Sequence, residues 1–196
     1  MAGRIGPLPQ PPSVVIGPQT WMLNNLDVTT YRDGTPIPEV TDNAAWAALT
    51  TGAWCYYNNN PANGAIYGKL YNWYAVNNPK GLAPIGYHVP SDTEWTILSN
   101  TLGGSSVAGG PLKETGTIHW LSPNTGATNS TGFTALPGGY RYIGIFFSIN
   151  NISRWWSSTE WNSTNSYMAE LYYDSNLLGV NVFDKTDGHS VRCIKD

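Results

Sequence analysis

The stretch that most limits how this chain can fold is residues 86–104, GYHVPSDTEWTILSNTLGG. Ser91 and Glu94 stand three apart, the spacing of a reciprocal capping box. In it the Ser hydroxyl accepts from the N3 amide and the Glu carboxylate accepts from the cap amide. Pro90 holds Val89 extended and keeps a helix from starting earlier. Trp95, Leu98 and Leu102 then recur on one face, and Gly103-Gly104 supplies a residue able to take positive φ and stop the helix. A helix bracketed at both ends, with a Trp on its inner face, is a scaffold around which other segments must pack.

The rest of the 196 residues suffices for one domain with a complete core. Charged residues make up only 12%, with a net charge of −3, so the chain lacks the basic footprint of a nucleic-acid binder. Nine Trp and twelve Tyr against four Phe point instead to aromatics that carry a polar handle, suited to outward-facing and binding surfaces. No apolar run approaches the ~18 residues that a helical membrane span needs. Residues 1–15 contain no apolar core of a secretory leader. Five prolines within residues 7–18 read as an extended arm, so residues 1–13 are expected to be a linker and 14–196 the domain. An outward-facing chain without an export signal is expected either on a virus particle or as a piece of a secreted or cell-surface bacterial protein. Two readings of Cys55 and Cys193 stand side by side: a disulfide worth about 4 kcal/mol in the chain-entropy model, or two buried thiols.

Taken in order, residues 14–16 and 20–23 predict a hairpin around a three-residue connection, Gly17-Pro18-Gln19. Asp33-Gly34 predicts a tight turn. Asp42 can cap a short helix carrying Trp46 and Leu49, and residues 54–57 read as a strand. Ile66, Leu70, Trp73 and Tyr74 recur at helical spacing and predict one helix from Asn63 to the Asn77-Asn78-Pro79 stop. From Gly109 onward the pattern is short β pieces, with strands over 154–160, 167–174, 178–183 and 190–194. Helices followed by a meander of strands make an α+β domain.

Six motifs then occur in order: WMLNNLDV (21–28), ANGAIYGKLYNWYAV (62–76), GYHVPSDTEW (86–95), LPGGYR (136–141), WWSSTE (155–160) and SVRC (190–193). Together they resemble the Fibrobacter succinogenes major paralogous domain over residues 14–196. That family is in turn similar to the formylglycine-generating branch of the C-type lectin fold. The resemblance implies a C-type lectin-like domain: two helices on small antiparallel sheets, first and last strands paired, and long irregular loops on one exposed face. It also implies a link to receptor-binding tips of phages. Some of these are diversified by retroelements that target Asn codons, which suits the Asn, Ser and Tyr density over 140–184.

His88, His119 and His189 are isolated, and none has a His or Cys at metal-ligand spacing. The formylglycine-generating relatives use two nearby cysteines to bind copper, whereas Cys55 and Cys193 lie far apart in sequence, so that oxidase chemistry is not carried over and no enzyme is expected. Glu160-Trp161-Asn162-Ser163 lacks the Asp of a calcium-dependent lectin triplet, so no cofactor is expected beyond a structural calcium held by loop carbonyls. Arg192 and Glu160 lie in apolar strands, and a buried charge needs a partner. Arg192 is therefore expected to pair with Glu160 or Glu94.

A recognition face is expected from three segments: Tyr142, Phe146, Phe147, Asn150 and Asn151; Trp161, Asn162, Asn165 and Tyr167; and Tyr172, Asp174 and Asn176. Tyr and Trp give rigid contact area, and Asn gives adaptable hydrogen bonds. For any one aromatic taken alone, half-buried packing is the more ordinary role, and for any one Asn, turn chemistry is; the case for a face rests on the cluster. The expected partner is a host-surface glycan or protein, with a capsid or fibre protein at the arm and self-association left open.

Overall fold

A computed structural model describes residues 10–196. Most of the proposed arm therefore lies outside the described residues. Strands β1 (Ser13–Ile16) and β2 (Gln19–Met22) form the opening hairpin, with Ser13 opposite Met22 and Ile16 opposite Gln19. Its connection is two residues and not three. Gly17 takes φ +57° at the first turn position and the fixed φ of Pro18 suits the second, so Gln19 already pairs. Helix α1 (Asn43–Ala47) starts where expected, the Asp42 carboxylate accepting from the Ala45 amide at 2.8 Å.

Strand β3 (Trp54–Cys55) is shorter than the expected 54–57, because Tyr57–Asn59 turns into a 3-10 helix with Asn58 at φ +53°. The single helix expected from Asn63 is three elements: α2 (Pro61–Tyr67), β4 (Leu70–Tyr71) and α3 (Trp73–Val76). Gly68, at φ +75°, ends α2, and the Asn72 side chain caps α3 by accepting from Ala75 while also holding the Ala53 amide. Ile66 on α2 is exposed, so the helical recurrence of apolar residues spanned unrelated elements.

Strand β5 (Tyr87–His88) leads into α4 (Asp92–Thr101), whose capping box is complete. The Ser91 amide donates to Glu94 at 2.8 Å and Ser91 Oγ accepts from the Glu94 amide at 3.2 Å. Gly103 and Gly104 follow at φ +96° and +100°. Helix α5 (Ser105–Leu112) occupies sequence expected to turn β-like at Gly109. Its two glycines and Pro111 are poor helix formers, but a Cβ at Gly109 would stand 2.7 Å from the Asn176 carbonyl, and one at Gly110 2.4 Å from that of Gly126. Close packing, not propensity, makes this helix.

The remaining strands are β6 (Tyr140–Tyr142), β7 (Ile145–Phe147), β8 (Ile152–Glu160), β9 (Asn165–Tyr172), β10 (Leu178–Asp184) and β11 (Ile194–Lys195). They complete a four-stranded sheet β1-β2-β11-β5, a three-stranded sheet β10-β9-β8 and the hairpins β3-β4 and β6-β7. The architecture of the described residues is α+β, five α-helices and one 3-10 turn with several small antiparallel sheets. Opening and closing strands pair, Ile194 lying opposite both Trp21 and His88. The closing strand is shorter than 190–194, with Ser190 making only an isolated bridge to Trp155.

The core is organised by β8, buried on both faces. Successive strand residues point opposite ways. Trp155 therefore joins Trp21, Trp95, Trp120 and Phe133, while Trp156 joins Tyr71, Trp73, Tyr87 and Met168. Trp95 of α4 packs 4.7 Å from Trp21 and 5.8 Å from Trp155, ring centre to ring centre. Indole N–H groups fasten loops to this core: Trp46 to Thr186, Trp54 to Ile37, Trp73 to Ser157 and Trp120 to Ala135, all at 2.8–2.9 Å. Cys55 and Cys193 are free thiols, fully buried in different clusters, which settles the two readings in favour of thiols. Burial pushes both up to about 12, so neither is a thiolate at neutral pH.

Candidate functional site

The expected ion pairs of Arg192 do not form. Glu160 binds Lys185 at 2.6 Å, and Glu94 binds His88 at 2.7 Å. The buried pair is Arg154 with Glu170, at 3.0 Å, on directly opposed positions of β8 and β9. The Arg154 guanidinium lies between the rings of Tyr140 at 4.0 Å and Phe183 at 4.2 Å. This stack joins the β6–β7 hairpin to the three-stranded sheet, and above it opens a groove of about 240 Å³. Its lining is Tyr140, Tyr142, Asn165, Val182, Phe183, Asp184 and Asp187.

The hairpin is held stiffly. Arg141, fully buried, donates to the carbonyls of Gly144 at 2.9 Å, Val40 at 2.7 Å and Thr41 at 2.9 Å, and to Asn43 Oδ1 at 3.0 Å. Its turn residues, Ile143 and Gly144, both have positive φ, +48° and +78°. For a β-branched residue that conformation is strained, and the Arg141 network is what holds it. Tyr140 stacks on Phe147, and Tyr142 lies 6.4 Å from the same ring.

The floor is chemically unusual. Asp187 is 1% exposed and neither carboxyl oxygen has a protein partner. His189 is fully buried, with both ring nitrogens unpartnered, and its Nε2 lies 4.0 Å from Asp187 Oδ2. Arg154 Nη1 and Ser166 Oγ are unpartnered too. Burial pushes Asp187 up to about 8, reinforced by the Asp184 charge and opposed by Arg154. Burial, then the Arg154 charge, holds His189 well below its usual range. At neutral pH the pair is thus an un-ionised acid beside an un-ionised imidazole. Such a floor can donate and accept hydrogen bonds.

Of the residues proposed from sequence, Tyr142 and Asn165 line the groove, with Phe147 stacked behind. Trp161 and Tyr167 pack edge to face at 5.5 Å, and Tyr167 lies opposite the groove residue Val182 in the sheet. Asn162 caps its own turn, accepting from the Thr164 and Asn165 amides. Phe146 packs under Arg141 against Tyr57, a core role. Asn150 donates to the His119 carbonyl, and the Asn151 carbonyl accepts from Tyr173. The third segment does not converge. Tyr172 and Asn165 are at opposite ends of β9, about 23 Å apart at the usual strand rise. There Asn176 packs beneath α5, Asp174 is exposed, and Tyr172 lends its carbonyl to Lys113. Lys113 Nζ itself fills a cage of three backbone carbonyls at 2.8–3.0 Å. Among the described residues no three His, Cys, Asp or Glu side chains gather as a metal site.

Sequence reasoning missed Asp184, Asp187, His189 and the Arg154–Glu170 pair. The signal was present for that pair, since both charges interrupt apolar strand runs as Arg192 does. Asp187-Gly188-His189 carried none, because Asp-Gly reads as an ordinary turn.

The class that fold and groove define is a rigid α+β frame presenting an aromatic and acidic cleft. The chain belongs to the family described as the Fibrobacter succinogenes major domain, whose model matches residues 14–195. No curated protein and no solved structure matches it.

Proposed function

We propose that this chain is a non-enzymatic recognition domain of C-type lectin-like fold, presented on a phage particle and gripping a host-surface glycan through the groove at Tyr142. The observation that carries this reading is the groove's composition: rigid aromatic walls and the Asn165 amide, which donates to the Asp184 carboxylate at 2.7 Å, in one cleft over the buried Asp187. Aromatic faces suit the C–H side of a sugar ring, and carboxyl and amide groups suit its hydroxyls. The joined first and last strands and the long loops between short elements favour the lectin-like fold. A weakly charged chain, with Tyr142 and Trp161 left exposed while the other eight Trp are buried, favours outward presentation of this one face.

A glycan array with the wild type and Tyr142→Ala tests the reading. The variant should lose at least about tenfold in affinity, as truncation of an aromatic anchor does. Unchanged binding by the variant would overturn the site. Capture of a host envelope component that survives deglycosylation would replace the glycan with a protein partner.

A further inference from the structure

Arg192, left without an ion pair, marks a second site. Arg192 is 2% exposed, yet it lines a cavity of about 440 Å³ between α2, the segment after β2 and residues 132–136. Among the described residues no carboxylate lies within 4.0 Å of its guanidinium. Nε donates to Asn25 Oδ1 at 3.0 Å, an oxygen already shared with the Trp155 indole at 2.8 Å. Nη1 donates to the Phe133 carbonyl and the Phe133 ring lies 4.2 Å from the guanidinium carbon, while Nη2 finds no acceptor among the described residues and, unlike Arg154 Nη1, is not sealed from the open space beside it. Arg141 shows how this fold satisfies a buried guanidinium when it means only to hold loops: four acceptors on all three nitrogens. Arg192 has half as many, beside open space.

A buried charge left this short of partners is costly unless something compensates it. Asp27, also on the cavity wall, does not do so, because its carboxylate is held by Lys69, itself buried. The wall's other members include Asn24, Thr134, Ile66 and Leu136, a mix of amide, hydroxyl and apolar contacts.

We propose that this cavity is a carboxylate site, in which the Nη1/Nη2 edge of Arg192 receives the acid group of a small sugar-sized organic acid. An end-on guanidinium edge matches the two oxygens of a carboxylate, and the cavity is too large for a bare ion. Burial alone lowers Arg192 to about 9, the mark of a cation the protein itself does not pay for. The site shares no lining residue with the aromatic groove and stands independently of its assignment.

Thermal shift and calorimetry of the whole chain with glucuronate, acetate, glucose and sulfate test it. Glucuronate should raise the melting temperature and glucose should not. A matching but smaller effect of acetate supports recognition through the carboxylate. Arg192→Met should weaken glucuronate binding at least about tenfold. Should that variant misfold, Ala65→Trp, on the exposed rim of α2, plugs the mouth with Arg192 intact and should abolish binding equally. No response to glucuronate, an equal response to glucose, a stronger response to sulfate than to glucuronate, or unchanged binding by Ala65→Trp would each overturn the proposal.

Discussion

At the scale of residues, two buried acids on one side of the molecule behave oppositely. Glu170 is tied to Arg154 and to Asn181, and removing it strands a guanidinium between two rings. Glu170→Ala should therefore cost on the order of 3–5 kcal/mol in urea denaturation, far above an ordinary surface change. Asp187 has no such partner, and its folded-state value of about 8 lies above the usual 3.8. The folded state then binds more protons than the unfolded state between those values. Asp187 thus contributes its full stability only below the lower value, and loses it as pH rises through the higher one. Asp187→Asn should flatten the fall in stability between pH 4 and 8 without unfolding the chain; an unchanged slope in a denaturation series across that range would contradict the assignment.

At the scale of elements, the capping box of α4 is tied to the closing strand through His88, which contacts Glu94 and Asp196 at 2.7 Å each. Desolvation lowers the His88 value, but the two acidic partners outweigh it and raise the value above the usual 6.5. Its contribution is present below 6.5 and disappears as pH rises through the folded value, so His88→Gln should remove a loss of stability that the wild type shows above neutrality. Ser91→Ala should cost about 1 kcal/mol by circular dichroism melts, the usual worth of a cap. The β6–β7 hairpin has a separate vulnerability. A Cβ at Gly144 would sit 2.2 Å from the Asn43 carbonyl, so Gly144→Ala should lift the hairpin and weaken groove binding while the Trp core keeps its near-ultraviolet signal. Elements marked by local chemistry were legible in the sequence: the Ser91 box, the Asp42 cap, the Asp33-Gly34 turn and the Trp155-Trp156 strand. The split of residues 61–76 and the glycine-rich α5 were not, because Gly68, Asn72 and the contact with Asn176 act through tertiary packing.

At the scale of the whole molecule, stability comes from the two Trp-centred clusters on either side of β8 and a smaller third one around Trp46, with no covalent cross-link. Both thiols should resist a thiol reagent until denaturant is added, and reductant should leave the melting temperature unchanged; a shift on reduction would reveal a disulfide. The candidate groove was half legible. Its exposed aromatic Tyr142 and its half-buried amide Asn165, at the start of β9, announced themselves by residue type. Its floor did not, since Asp187 and His189 are drawn under β6 by pairing of Gly188 with Arg141, a contact between residues far apart in sequence. The same long-range geometry separates Tyr172 and Asp174 from the face they were grouped with. Hydrogen exchange of the wild type with and without the strongest binder from a glycan array tests the central claim most directly. Protection should appear at residues 140–147 and 182–187, and protection confined to residues 172–176, or none at the groove, would contradict it.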